Sequence, residues 1–119
     1  MTALPTDPHH AGPRYYRGLA DGTVLAEGIS GKDAAPLEPR YDLRNHSPTG
    51  FAWGYSGSGP SQLALALLAD ALGDDDLALD FYQRFKDRFV ARLPGGEAWG
   101  PVAAEEIRMD LAEMIAAMA

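Results

Sequence analysis

The chain has 119 residues, of which 46% are hydrophobic and 23% charged, and its formal net charge is −7. This length suits one domain with a real core, and the composition is that of a globular protein without a membrane-spanning segment. The absence of cysteine excludes disulfides, thiolate catalysis and cysteine-based zinc sites. Because the N-terminus lacks the basic start and apolar core of a signal peptide, we expect a cytoplasmic protein.

The N-terminal part predicts a tail followed by a hairpin. Residues 1–13 contain three prolines and no hydrophobic periodicity, which predicts a mobile tail before a single domain over 14–119. Asp21-Gly22 lies between two segments rich in β-formers and is typical of a two-residue hairpin turn within 14–29. The two strands are predicted at about 14–19 and 23–29.

Prolines dominate the next stretch, 30–58, which we predict to be irregular or extended chain. Pro36, Pro39 and Pro48 exclude a long helix there. One short strand is predicted at about 40–43.

The C-terminal half predicts three helices, at about 60–72, 76–92 and 102–118. Pro60 suits the first helical position after a cap at Gly59 or Ser58, and Gly73 suits the left-handed residue after the end. The leucines of the first helix leave almost no polar face, so we expect it to be the central helix. The second and third helices carry apolar stripes; that of the third runs from Ile107 to Met118. The whole predicts an α+β domain in which an N-terminal hairpin packs on three C-terminal helices.

The acidic charge is concentrated in the helical half, where residues 51–119 hold five Lys/Arg and eleven Asp/Glu. This sign disfavours direct nucleic-acid binding and favours a basic protein partner, including a nucleic-acid-binding protein. Solubility alone is the alternative explanation. Asp74, Asp75 and Asp76 are candidate partner-binding residues and also candidate helix caps; because the DxDxDG pattern is missing, we predict no metal site.

A glycine-rich loop precedes the first helix and has two readings. Glycines before a helix N-terminus favour anion binding, although neither the P-loop nor the GxGxxG pattern is present. In the other interpretation the glycines only let the chain turn beneath three aromatic residues. These aromatic residues alternate onto one face, as in a strand, where they either cover the helices or bind a partner. The candidate anion-binding residues are Arg44, His46, Gly57, Ser58, Gly59 and Gln62, and the aromatic candidates are Phe51, Trp53 and Tyr55.

Catalysis has little support in the sequence. His46-Ser47 with Asp42 or Asp70 offers a base, a nucleophile and an orienting acid, but neighbours in sequence are not a triad, and no nucleophile-elbow pattern is present. We predict no catalytic residue and no cofactor.

The run HSPTGFAWGYSGSGPSQLALALL (46–68), followed by YQRFK (82–86), resembles the small family called domain of unknown function 6166. Ala52, Ser56 and Ser61 depart from the acid, glycine and alanine usual in that family. The resemblance implies no activity or catalytic residue, and it implies a mobile-element or accessory context. We therefore expect a small non-catalytic interaction protein of a phage, plasmid or accessory island that binds a host or defence protein. The alternative is an anion-binding domain or enzyme; the sequence leaves monomer and homodimer open.

Overall fold

The computed structural model describes residues 14–28 and 33–118, and it confirms the α+β class. The strands form one antiparallel sheet in the order β3-β2-β1-β4. The predicted tail over 1–13 lies outside the described residues. The elements are β1 (Arg14–Gly18), β2 (Val24–Gly28), β3 (Ala35–Pro36), α1 (Ser58–Leu72), α2 (Asp75–Arg88), a short 3-10 helix (Val90–Arg92), β4 (Trp99–Ala103) and α3 (Ala104–Ala117).

The hairpin between β1 and β2 forms where it is predicted, but its turn is one residue longer. Leu19 N donates to Thr23 O at 2.8 Å, and Gly22 N donates to Leu19 O at 3.0 Å. Gly22 has a φ of 95°, the left-handed conformation that a three-residue hairpin loop requires. The carboxylate of Asp21 closes the turn by accepting a hydrogen bond from Thr23 N.

Two strands differ from the prediction. The strand expected over 40–43 is wrong, because Arg40 has a φ of 60° and turns follow it; the short strand is β3 instead. The sequence also does not predict β4, which contains Gly100 and Pro101. A proline is tolerated there because β4 lies at the edge of the sheet, where a missing N–H breaks no ladder.

Helix α1 is the centre of the molecule, as predicted, with thirteen of its fifteen residues buried. It begins at Ser58 with Gly57 as the N-cap residue, so the predicted start at 60 was two residues late, and the predicted cap at Gly59 or Ser58 was one or two residues late. Pro60 is therefore the third helical residue, a position that also needs no backbone N–H. Gly73 ends the helix with a φ of 64°, as predicted.

Helices α2 and α3 cover α1. Asp74 caps α2 by accepting a hydrogen bond from Leu77 N, and Phe85 is fully buried. The predicted second helix is divided, because α2 ends at Arg88 and the 3-10 helix follows. The apolar stripe of α3 is confirmed except at Met118, which lies past the helix end and is 49% exposed.

The side chain of Gln62 fastens the irregular segment 39–47 to α1. Its Oε1 accepts from His46 N at 2.8 Å and Ser47 N at 3.3 Å. Its Nε2 donates to Pro39 O at 2.7 Å and Arg44 O at 3.0 Å. The amide is completely buried, so these four bonds satisfy a polar group that would otherwise be costly inside the core.

Arg40 fastens the same segment to the start of α2. Its guanidinium bonds both carboxylate oxygens of Asp75, at 2.8 and 2.9 Å, and both of Asp42, at 3.0 Å each. Hydrogen bonds to Asp42 and Asp75 raise the pKa of Arg40, and the bond from Arg40 lowers the pKa of Asp42.

Replacing Gln62 with Leu should strip four backbone groups of their partners while keeping the side-chain volume. We expect the free energy of unfolding to fall by about 3 kcal/mol, since each buried group left unpaired carries its own desolvation cost. Urea unfolding measures the change. The control is Asn45→Leu, which replaces an exposed amide of the same segment and should change stability little; equal effects at the two positions would contradict the role assigned to Gln62.

Candidate partner-binding cleft

An open cleft lies between the tip of the β1–β2 hairpin and residues 49–55. It consists of two depressions of about 310 and 260 Å³. Asp21, Gly22 and Phe51 line both depressions. The first extends to Leu37 and the second to Tyr55, so the glycine- and aromatic-rich sequence forms one side of the cleft.

Trp53 builds the wall of the cleft from the core. It is 5% exposed, and its Nε1 donates to Pro94 O and Glu97 O, both at 3.0 Å. Its ring meets that of Trp99 edge to face, with the centroids 5.9 Å apart. Trp53 therefore holds the 94–97 loop in place, and a partner can meet it only at the cleft wall.

The predicted strand-like alternation of the three aromatic residues is wrong. No strand forms over 51–55, and Gly54 turns the chain with a φ of 86°. The aromatic residues consequently have three different environments: Trp53 is buried, Phe51 is half-buried, and Tyr55 is 52% exposed. Phe51 and Tyr55 are the two that a partner can reach.

Gly54 keeps this loop in one position. Its backbone lies so close to Gly95 that a Cβ on Gly54 would stand 2.4 Å from the Gly95 Cα. Its N–H donates to Val90 O at 3.1 Å, which joins the loop to the 3-10 helix. Because backbone packs on backbone here, the wall of the cleft is preformed.

The rim of the cleft combines an aromatic ring with a carboxylate. The Tyr55 ring lies over Gly57, where a Cβ would stand 2.6 Å from Cε2 of the ring. Asp21 is exposed at the hairpin tip, and the hydrogen bond from the Thr23 backbone lowers its pKa. The carboxylate is therefore ionised at neutral pH and gives the rim a negative charge.

The glycines before α1 serve close packing. Gly57 is extended, with a φ of −169°, and Gly59 is helical, so neither position requires a left-handed residue. A Cβ on Gly59 would stand 2.6 Å from the Cβ of Ala52. Ser58 is the first helical residue rather than a cap, and no side chain caps this helix. Gly57 and Gly59 thus let residues 52–55 pass closely over the start of α1.

The side chains predicted to hold an anion are engaged elsewhere. Both N–H groups of the Gln62 amide are used inside the protein, so Gln62 is a structural residue with no donor left for an anion. His46 Nε2 is hydrogen bonded to Tyr82 Oη at 2.6 Å. Arg44 is exposed and donates to Leu43 O at 2.8 Å. For Arg44 and His46 an anion-binding role stays a prediction.

Neither acid of the imagined catalytic arrangement orients His46. Asp42 pairs with Arg40, and Asp70 pairs with Arg14 at 2.6 Å and accepts from the Tyr16 hydroxyl. Burial, and then the neighbouring Asp70, raise the pKa of Tyr16, so this hydroxyl stays protonated and donating. Asp70 therefore links β1 to α1.

The three consecutive aspartates have separate roles. Asp74 caps α2 and Asp75 pairs with Arg40, so the carboxylates of both serve the fold. Asp76 is exposed and remains a candidate partner-binding residue. Over 14–28 and 33–118, no group of three His, Asp or Glu side chains is placed to hold a metal ion.

These features define a small α+β domain whose glycine- and aromatic-rich loop lines an open cleft beside a hairpin tip. The chain belongs to the family of unknown function DUF6166, whose model matches residues 16–113. That match covers all but the first two residues of the hairpin, the whole cleft and most of the three helices. The comparisons with curated proteins and with solved structures return no match. In the part of the chain that the structure describes, no helix is long and apolar enough to cross a membrane.

Replacing Gly54 with Ala should destabilise the protein by about 3 kcal/mol, because it adds a backbone clash to an unfavourable left-handed φ. Gly96→Ala is the matched control: its φ is 72°, but open space surrounds the added Cβ. We expect the control to cost only about 1 kcal/mol. Thermal or urea unfolding measures both, and equal losses would show that the close packing of Gly54 contributes nothing.

Phosphate should not stabilise this protein specifically. Because Gln62 has no donor left and Gly59 packs on Ala52, we expect the melting temperature to follow ionic strength alone. A thermal-shift titration with phosphate and nucleotides, against sodium chloride of matched ionic strength, measures this. A saturable stabilisation that Arg44→Gln removes would restore the anion-binding alternative.

Proposed function

We propose that this protein is a non-catalytic interaction protein that captures an exposed segment of a partner protein in the cleft. The observation that carries the proposal is the position of Phe51 and Tyr55, which lie beside the anionic hairpin tip. Large aromatic side chains at a concave surface supply contact area at low entropic cost, and they are enriched at protein interfaces.

The chemistry of the cleft indicates the partner segment. In the proposed complex, an apolar side chain of the partner fills the depression between Phe51 and Tyr55. An adjacent Lys or Arg of the partner faces the Asp21 carboxylate. The preformed wall supports this function because Trp53 and Gly54 are fixed by hydrogen bonds and close packing. A rigid cleft loses little conformational entropy when it binds.

The proposal also specifies the kind of partner protein. The net charge of −7 favours a basic protein, including a nucleic-acid-binding one. The family resemblance implies that this protein belongs to a phage, plasmid or accessory island. Its partner is then a cytoplasmic host or defence protein. Pull-down from host lysate with wild-type protein and with Tyr55→Ala identifies candidates, because a cleft-bound partner is captured only by the wild type.

Selection of randomised peptides displayed on phage tests the cleft directly. We expect the selected peptides to share an aromatic or aliphatic residue next to Lys or Arg. Tyr55→Ala should weaken their binding by about tenfold or more, since it removes an exposed aromatic contact. Asp21→Asn should weaken it by about threefold, because the amide keeps the acceptor for Thr23 N and loses only the charge.

Met109→Ala is the matched control for this experiment. Met109 is 57% exposed on α3 and does not line the cleft, so its replacement should leave peptide affinity unchanged. Peptides without a basic residue, or with equal affinity for wild type and Tyr55→Ala, would contradict the proposal.

A further inference from the structure

A second, shallow and open depression lies between α2 and α3, outside the cleft. We call it the arginine–methionine groove, and its volume is about 660 Å³. It combines cationic side chains with the thioethers of two methionines in a chain whose overall charge is negative. The groove is lined by Arg84, Asp87, Arg88, Arg92, Met114 and Met118.

The carboxylates around the groove already have cationic partners. Arg88 pairs with Asp110 at 2.8 Å and with Glu113 at 3.3 Å, and so joins α2 to α3. Asp87 lies 3.6 Å from Lys86 Nζ and accepts a hydrogen bond from Ser56. These pairs leave the charges of the remaining two arginines uncompensated.

Arg84 and Arg92 are those remaining cations. Arg84 contacts the Met118 sulfur, and neither arginine forms an ion pair with a residue in 14–28 or 33–118. Arg84 lies on α2 and Arg92 lies in the 3-10 helix that follows it, and both side chains line the groove together with Arg88. A ligand that carries carboxylates along one face can pair with both of these arginines.

The methionines provide an apolar contact surface. Met114 is 7% exposed and forms the floor, whereas Met118 is 49% exposed at the mouth of the groove. Unbranched thioether side chains adapt to apolar partners of different shapes, as in other helix-binding grooves. An apolar floor beside three arginines and one aspartate, Asp87, fits an amphipathic ligand better than a uniformly charged one.

We propose that the arginine–methionine groove binds an acidic amphipathic helix of a partner protein. Carboxylates of that helix pair with Arg84 and Arg92, and its apolar face covers Met118 above Met114. A nucleic acid fits less well, because it offers phosphates without an apolar stripe to cover the two methionines. This site is separate from the aromatic cleft and does not depend on its function.

A fluorescent model peptide tests the groove. The probe is a synthetic helix with Glu at every fourth position and Leu on the adjoining face, and its binding is followed by fluorescence anisotropy. We expect binding to the wild type that weakens as salt rises. Arg84→Gln with Arg92→Gln, and separately Met118→Gln, should each weaken it by about tenfold.

Matched controls separate the groove from general effects. Arg44→Gln removes an exposed arginine elsewhere, and Met109→Gln changes an exposed methionine of α3 that does not line the groove; both should bind the peptide as the wild type does. Tyr55→Ala should also leave this binding unchanged, which distinguishes the groove from the cleft. Circular dichroism melts confirm that each variant is folded.

Several results would overturn the proposal. The first is no binding of the peptide by the wild type, or equal binding of a peptide with Gln in place of Glu. Another is tighter binding of single-stranded DNA that the arginine variants abolish, which would assign the groove to nucleic acid. A dimer in sedimentation that Met118→Gln dissociates would assign it to a second copy of the chain.

Discussion

The structure depends on one buried amide. Gln62 lies on the most buried helix, where an unpaired amide is unfavourable, and its four hydrogen bonds hold the proline-rich segment against α1. With that segment fixed, Arg40 reaches Asp75 at the start of α2. The following chain then passes closely over Gly59 to Trp53, whose indole N–H holds the 94–97 loop. The position of the cleft therefore follows from how a core polar group is satisfied.

The sequence predicts those parts of the fold that local signals control. The leucine-rich run, the left-handed Gly73 and the Asp74 cap each act within a few residues, and each is confirmed. Strand β4 escapes prediction because Pro101 disfavours a strand, and only pairing with β1, more than eighty residues earlier, makes an edge strand of it. Long-range pairing of this kind leaves no local pattern to detect.

The candidate site shows the same difference between features that local sequence predicts and features that depend on distant residues. The aromatic residues can be selected from the sequence, but which of them is exposed depends on distant groups: Trp53 is buried because the Pro94 and Glu97 carbonyls accept its N–H. Gln62 resembles a ligand-binding residue because it follows glycines at a helix start. Its true partners lie 15 to 23 residues earlier in an irregular segment, where no periodicity indicates them. The groove escapes prediction because it combines side chains of two separate helices.

Net charge alone is a poor guide to recognition in this protein. Most of its conspicuous charges serve the fold, including Asp74, Asp75 and the Arg14–Asp70 and Arg88–Asp110 pairs. A charge that is already paired gains little from a partner, since binding must first desolvate or break the existing pair. Among the charges without an ion pair in 14–28 and 33–118, those that line a concave surface are the better indicators, and they have opposite signs: Asp21 at the aromatic cleft, and Arg84 with Arg92 at the groove. An acidic protein can thus select a basic segment at one surface and an acidic helix at another, because local charge outweighs the total within a Debye length.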